Sequence, residues 1–252
     1  MTTLLVELSG PQQAWGSRSR FATRATELAP TRSGVIGLLA AALGMERTEP
    51  LDRFRELEFG VRIDQPGQVE RDFQTTRSLD GANAFPLSQR FYLADAVFLV
   101  GLSGAREELV AFREALARPY FPLFLGRRAF PPDGPIRSEL VDAPLRESLR
   151  SAPWKARAHH RRTIRSEEVV LQLITDAAAG DPPGESRRDV PMSFDPRRRR
   201  HDTREVSTER VVLPHPEPRV ATARAATDPT AERLLGSPTE HDPFLLLDDE
   251  EI

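Results

Sequence analysis

Leu4, Val6 and Leu8 recur at every second position, a spacing that predicts a strand ending in the loop "GPQQAWG" from Gly10 to Gly16. In "PTRSGVIGLLAAALG", Val35, Leu38, Leu39 and Ala42 fall on one helical face; Thr31 or Ser33 can cap the helix, and Gly44 sits near its end. Gly34 and Gly37 leave bare backbone on one face of its first turns. Leu57, Phe59, Val61 and Ile63 alternate with Glu58, Gly60 and Arg62, which predicts a second strand with one buried face. Residues 65–93 are polar, with a hairpin signal at "LDGAN". "DAVFLVGLSG" then reads as a strand buried on both faces. "AREELVAFREALARP" reads as a helix with Leu109, Phe112 and Leu116 inward, stopping at Pro119, and a last strand is expected near 120–130.

That order is β-α-β-β-α-β, so the expected class is α+β: a ferredoxin-like domain over residues 1–135. The excursion at 65–93 would project from it as a hairpin thumb. Residues 136–216 form an arginine-rich, β-rich C-terminal part, with strands at 167–176 and 207–214 separated by a polar excursion. From 217 to 252 the chain reads as a flexible acidic tail in which "PFLLL" is a docking segment.

Composition changes the picture in two places. The chain of 252 residues has no cysteine, which excludes disulfides and thiolate metal sites and favours the cytoplasm. Its N-terminus has no basic leader, and its apolar run is too short for a membrane span, so a soluble, cytoplasmic protein with no membrane partner is expected. The net charge of −3 hides an asymmetry, because residues 240–252 carry six acidic groups and no Lys or Arg. Without those six charges the rest of the chain stands at +3, and Lys155 is its only lysine. Arginine is the side chain suited to bidentate phosphate contacts.

No phosphate-loop, H-E-x-x-H or G-x-S-x-G signature is present, and neither a cofactor nor a metal is expected. His159 and His160, in an inferred loop with no carboxylate in the local sequence, are the only acid–base pair, with Tyr92 and Tyr120 as further candidates. Basic clusters say more. Residues 150–165 hold six basic and no acidic side chains, Arg197–Arg200 precede His201, and Arg127–Arg128 follow Gly126. Clustered arginines read as either solvated loops or a phosphate-binding surface. The first strand lacks the paired aromatics of an RNA-stacking sheet, so loops, the thumb and helix ends are the expected contacts. The N-terminus of the "PTRSGVIG" helix, beside Arg32, is an expected anion site.

"LSGPQQAWG", Thr23–Arg24, "PTRSGVIGLLAAALG" and "RPYFPLFLGRR", with "RDVPMSFDPRRRRHDTREV" more loosely, resemble the CasD family of type I-E CRISPR Cascade subunits, within the RAMP superfamily. The resemblance implies a non-catalytic subunit for antiviral defence that grips the 5′ handle of the guide RNA and caps the complex backbone. Implied partners are the crRNA handle, the adjacent backbone subunit through the thumb, the large PAM-recognising subunit and, indirectly, target DNA. It makes Arg24, Arg32, Arg127 and Arg128 the expected phosphate contacts, followed by Arg197, Arg198, Arg199 and Arg200. Gln13 would read a base edge or sugar, Gly16 and Gly126 would admit the backbone, and Ser33, Gly34 and Gly37 would either hold close backbone contacts to it or form a helix–sheet packing site. Trp15 is either a stacking face or a packing wedge. The alternative is a metal-independent endoribonuclease processing precursor RNA, as in type I-C relatives.

Overall fold

The computed structural model describes residues 1–16, 23–182 and 184–218. The expected acidic tail beyond 218, "PFLLL" included, lies outside the described residues. In chain order the elements are β1 (Thr2–Ser9), β2 (Gln12–Gln13), β3 (Thr23–Arg24), α1 (Arg32–Ala42), β4 (Glu58–Gln65), β5 (Gln68–Arg77), β6 (Ala84–Ala94), β7 (Val97–Gly104), α2 (Arg106–Ala117), β8 (Ser138–Val141), α3 (Leu145–Ser151), α4 (Ala158–Thr163), β9 (Glu168–Asp176), β10 (Glu185–Ser193) and β11 (Arg200–Pro214). The chain is a mixed α+β fold built on a seven-stranded sheet in the order β10-β11-β9-β4-β7-β1-β8. Every neighbouring pair in that sheet is antiparallel. Segments on both sides of residue 135 share the sheet, since β9 pairs with β4 from Gly60–Thr175 to Ile63–Gln172.

The centre is β7, buried along Val97–Ser103 because its sequence is apolar on both faces. Phe98, Val100 and Leu102 join Leu4, Val6 and Leu8 under α1 and α2. Leu99 joins Leu5, Leu145 and Leu149 on the α3 side. Gly60 and Gly101 are direct register partners, and a Cβ on either would come within 3.0 Å of Leu149 Cδ1. The two glycines thus open a slot in the sheet where Leu149 is fully buried. Burying such a side chain is worth about 1.5–3 kcal/mol.

Arg62 breaks the apolar pattern on that same face. It is fully buried, and its five N–H groups are all used: two meet Asp64 (2.7 and 2.9 Å), and three meet the carbonyls of Leu149, Ala152 (both 2.6 Å) and Pro153 (2.8 Å). One side chain therefore ends α3 and holds the following segment on the sheet. Asp64 also accepts the Lys155 N–H at 2.5 Å, and its carbonyl accepts Trp154 Nε1–H at 2.8 Å.

The structure corrects three expectations. Residues 120–130 form a loop, and the last strand of the N-terminal pattern is β8, because Pro119, Pro122 and Gly126 punctuate the apolar run. The polar excursion between the two C-terminal strands contains β10, an edge strand with register shifts that fits Pro191 at the margin of the sheet. His159 and His160 lie on α4, not in a loop. The hairpin signal holds: β5 and β6 join through a turn in which Ser78 N–H donates to Asn83 O at 2.9 Å, with Gly81 at φ +73°.

Asp64→Ala leaves the buried Arg62 charge without a counter-ion and should lower stability by about 3–5 kcal/mol in urea unfolding. A loss below about 1 kcal/mol would show that the carbonyls alone satisfy Arg62.

Candidate nucleic-acid interface

The loop "GPQQAWG" turns inward. Gln13 is fully buried; its Nε2–H donates to Ala96 O at 2.8 Å and its Oε1 accepts Trp15 Nε1–H at 3.1 Å. Trp15 is 1% exposed and lies under α1, where a Cβ at Gly34 would approach its ring to 2.8 Å. The expected base contact by Gln13 and the stacking role for Trp15 are therefore corrected: both side chains are committed to internal packing. Gly34 likewise serves Trp15, and Gly37 makes an ordinary contact with Phe194. Gly16 is exposed.

What the loop touches is the "LGRR" segment. Ala14 N–H donates to Leu125 O at 3.1 Å. Gly126 has φ +88°, and a Cβ there would fall 1.7 Å from Ala14 O. Leu125 N–H to Phe130 O (2.7 Å) and Phe130 N–H to Arg127 O (2.9 Å) close the turn that carries Arg127 and Arg128. The Arg127 guanidinium donates to Arg24 O at 3.1 Å and Phe91 O at 2.9 Å, and its carbon lies 5.6 Å from the Phe130 ring centroid.

These contacts shape a cleft of about 630 Å³ between the β5–β6 hairpin, β2–β3 and the 127–130 turn. Arg24, Arg90, Arg127 and Arg128 line it with Gln12, Gln74 and Tyr92, against a single carboxylate, Asp72. None of the ion pairs found among the described residues involves these four arginines. Burial, then repulsion from Arg90 and Arg24, holds the Arg127 guanidinium below its ordinary pKa, with Asp72 acting the other way. The arrangement suits a polyanion. Of the sequence candidates it unites Arg24, Arg127 and Arg128. Sequence reasoning missed Arg90, Gln12 and Gln74, and read Tyr92 only as a catalytic candidate. The cross-strand register sets Asp72 opposite Arg90 and Glu70 opposite Tyr92, but a register shift between Gln74 and Thr76 moves it one residue from what the "LDGAN" turn alone gives, so the sequence carried no signal for these partners.

Arg32 is elsewhere, and the expected anion site beside it is filled by the protein itself. Asp189 Oδ2 accepts the Arg32 backbone N–H at 2.8 Å, and Thr31 Oγ1 accepts Gly34 N–H at 3.2 Å. The Arg32 side chain is 8% exposed and bound to Asp176 (3.0 Å) and Leu57 O (2.6 Å). Burial lowers its pKa, and Asp176 opposes that shift. Ser33 is also buried, in the first turn of α1. Arg204 completes the group, binding Asp189 (2.7 and 3.0 Å) and Asp176 (2.6 Å).

Arg197–Arg200 are exposed, in the turn between β10 and β11 and at the start of β11, where Asp195 accepts two N–H groups: Arg197 N–H on Oδ1 at 2.8 Å and Arg198 N–H on its carbonyl at 3.0 Å. Among the acid–base candidates, His159 Nε2 lies 2.6 Å from Asp95 Oδ2, a carboxylate 64 residues away that the local sequence did not offer. His160 edges onto Trp154, and burial together with His159 lowers its pKa. The Tyr92 hydroxyl donates to Glu70 at 3.1 Å, and Tyr120 is 73% exposed. Among the described residues no group of three or more His, Asp or Glu is placed to hold a metal ion, and no helix is long and apolar enough to cross a membrane.

Arg32→Ala should lower stability by about 1–3 kcal/mol by chemical denaturation, as expected for lost charged hydrogen bonds. Gly126→Ala should cost more than about 2 kcal/mol. Gly134→Ala, where a Cβ meets nothing within 4 Å, is the control expected to change little.

The model of the family described as CRISPR-associated protein (Cas_Cas5) matches residues 3–207. The CRISPR system Cascade subunit CasD of Escherichia coli (strain K12) is 34% identical over 153 residues, 53% of this chain and 68% of that protein. A chain in a solved structure titled "CRISPR RNA-guided surveillance complex" is 36% identical at TM-score 0.69, over 84% of this chain and 91% of the other. Another, titled "Crystal structure of Cas protein", is 39% identical at TM-score 0.65, over 86% and 97%.

Proposed function

This chain belongs to the CRISPR-associated protein (Cas_Cas5) family, and on that premise we propose that it is the crRNA-binding subunit that grips the 5′ handle and caps the backbone of a type I-E Cascade surveillance complex. The observation that carries the reading is the cleft in which four arginines from three elements face one carboxylate. Arg24, Arg90, Arg127 and Arg128 hold the RNA backbone there, and exposed Arg197–Arg200 add a second basic edge.

Residues 1–135 are read as a ferredoxin-like domain with a thumb. The strand order β1-β7-β4, completed by β8 just past residue 135, with α1 and α2 against one core, supports this, as does the β5–β6 hairpin inserted between β4 and β7. Residues 136–216 add β8 beside β1 and extend the sheet from β4 through β9, β11 and β10. The thumb meets the adjacent backbone subunit, the large PAM-recognising subunit docks nearby, and target DNA is met indirectly.

The subunit acts without catalysis in this reading. One observation favours a second reading as a metal-independent endoribonuclease: the His159–Asp95 pair orients an imidazole. Labelled repeat RNA with and without its handle, incubated with the full chain in EDTA, decides between them. A shifted, intact, handle-dependent band is expected. Arg24→Ala or Arg128→Ala should weaken it roughly tenfold, as for one lost charged contact. Three or four phosphate contacts predict a slope of log affinity against log salt of about −2 to −3. Cut RNA would favour the endoribonuclease.

A further inference from the structure

β3 is two residues long and runs parallel to β6, with Thr23 opposite Gln89 and Arg24 opposite Arg90. Like charges at directly paired strand positions oppose the pairing. Arg127 adds a third positive charge while its two hydrogen bonds, to Arg24 O and Phe91 O, clip β3 to β6. Among the described residues the Arg90 Nε is buried and has no hydrogen-bond partner. Asp72, opposite Arg90 on β5, accepts Gln74 Nε2–H at 2.7 Å. Burial and the neighbouring arginines depress the Arg127 pKa, the sign expected of a positive cluster without enough counter-charge. The free protein therefore holds three guanidiniums together against their own repulsion.

We propose that Arg24, Arg90 and Arg127 form a clamp for one phosphate group, supplied by the RNA backbone, and that filling it fastens β3 onto β6. This rests on the guide-RNA reading and adds to it a residue and a coupling. A phosphodiester offers two anionic oxygens, which match the fork of a guanidinium. One negative charge among three positive ones turns repulsion into attraction, so RNA binding and strand docking stabilise each other. Arg90 and Arg127 then differ in kind. Arg90 supplies only charge to the site, whereas Arg127 also holds two backbone carbonyls.

The test uses the full chain as wild type, Arg90→Gln and Arg127→Gln, with handle RNA in one arm and sodium sulfate, without RNA, in the other. Arg90→Gln should raise the unliganded melting temperature by about 1–3 °C. It should also weaken RNA binding about tenfold, reduce the salt slope by about 0.7 and abolish protection by sulfate. Arg127→Gln should lower both stability and affinity. If Arg90→Gln lowers the melting temperature and leaves affinity and slope unchanged, Arg90 is structural and the clamp is overturned. A wild-type chain that ignores handle RNA but is protected by sulfate through Arg90 would overturn the guide-RNA reading and leave the anion clamp standing.

Discussion

Two arginines and two aspartates, all of low exposure except Asp176, close on one another where α1 begins. Asp189 takes the Arg32 backbone N–H and two of the three Arg204 contacts, while Asp176 bridges the two guanidiniums and also accepts Phe59 N–H at 2.9 Å. The charges sum to zero, which is what makes their burial tolerable; removing one partner from such a group is far costlier than never having built it. Burial works against the charge on Arg204, and Asp189 and Asp176 more than offset it, leaving its pKa raised. The group joins the first helix to the last three strands of the large sheet.

The same contact explains the sequence blocks. "PTRSG" supplies Arg32, and "RDVPMSFDPRRRRHDTREV" supplies Asp189 and Arg204, so two blocks more than 150 residues apart are partners. "GPQQAWG" and "LGRR" are a second couple, joined at Ala14, Leu125 and Gly126. Trp15 under Gly34 ties the couples together. Most of the residues in these blocks are used to hold the chain in shape, and the arginines that face solvent are what the framework presents.

Much of the fold was legible because its central elements carry strong periodicity. β1, α1, β4, β7 and α2 stand where alternation or a helical stripe places them, and Leu109, Phe112 and Leu116 are buried as expected. β10 was hidden because an edge strand reading "ESRRDVPMS" buries only Asp189 and Pro191. β8, four residues long, has no alternation to read, and the apolar run before it drew the expectation away. The candidate site was half legible. Paired arginines directly after a glycine announced Arg127 and Arg128, whereas Arg32 and Gln13 misled because a polar side chain does not declare whether its partner is solvent or the protein. Arg90 became visible only through its register.

The junction of β4 with β9 has a consequence during synthesis. A ribosome delivers β4 about a hundred residues before its neighbour, on the order of ten seconds at ordinary elongation rates. Once β7 has been made, for the rest of that interval, β7, β1 and β4 can already assemble, leaving β4 as an open margin with unpaired N–H and C=O groups. Such a margin invites pairing with another nascent chain. Co-translational protection, by a chaperone or by fast elongation up to residue 168, would matter more for this protein than its size suggests.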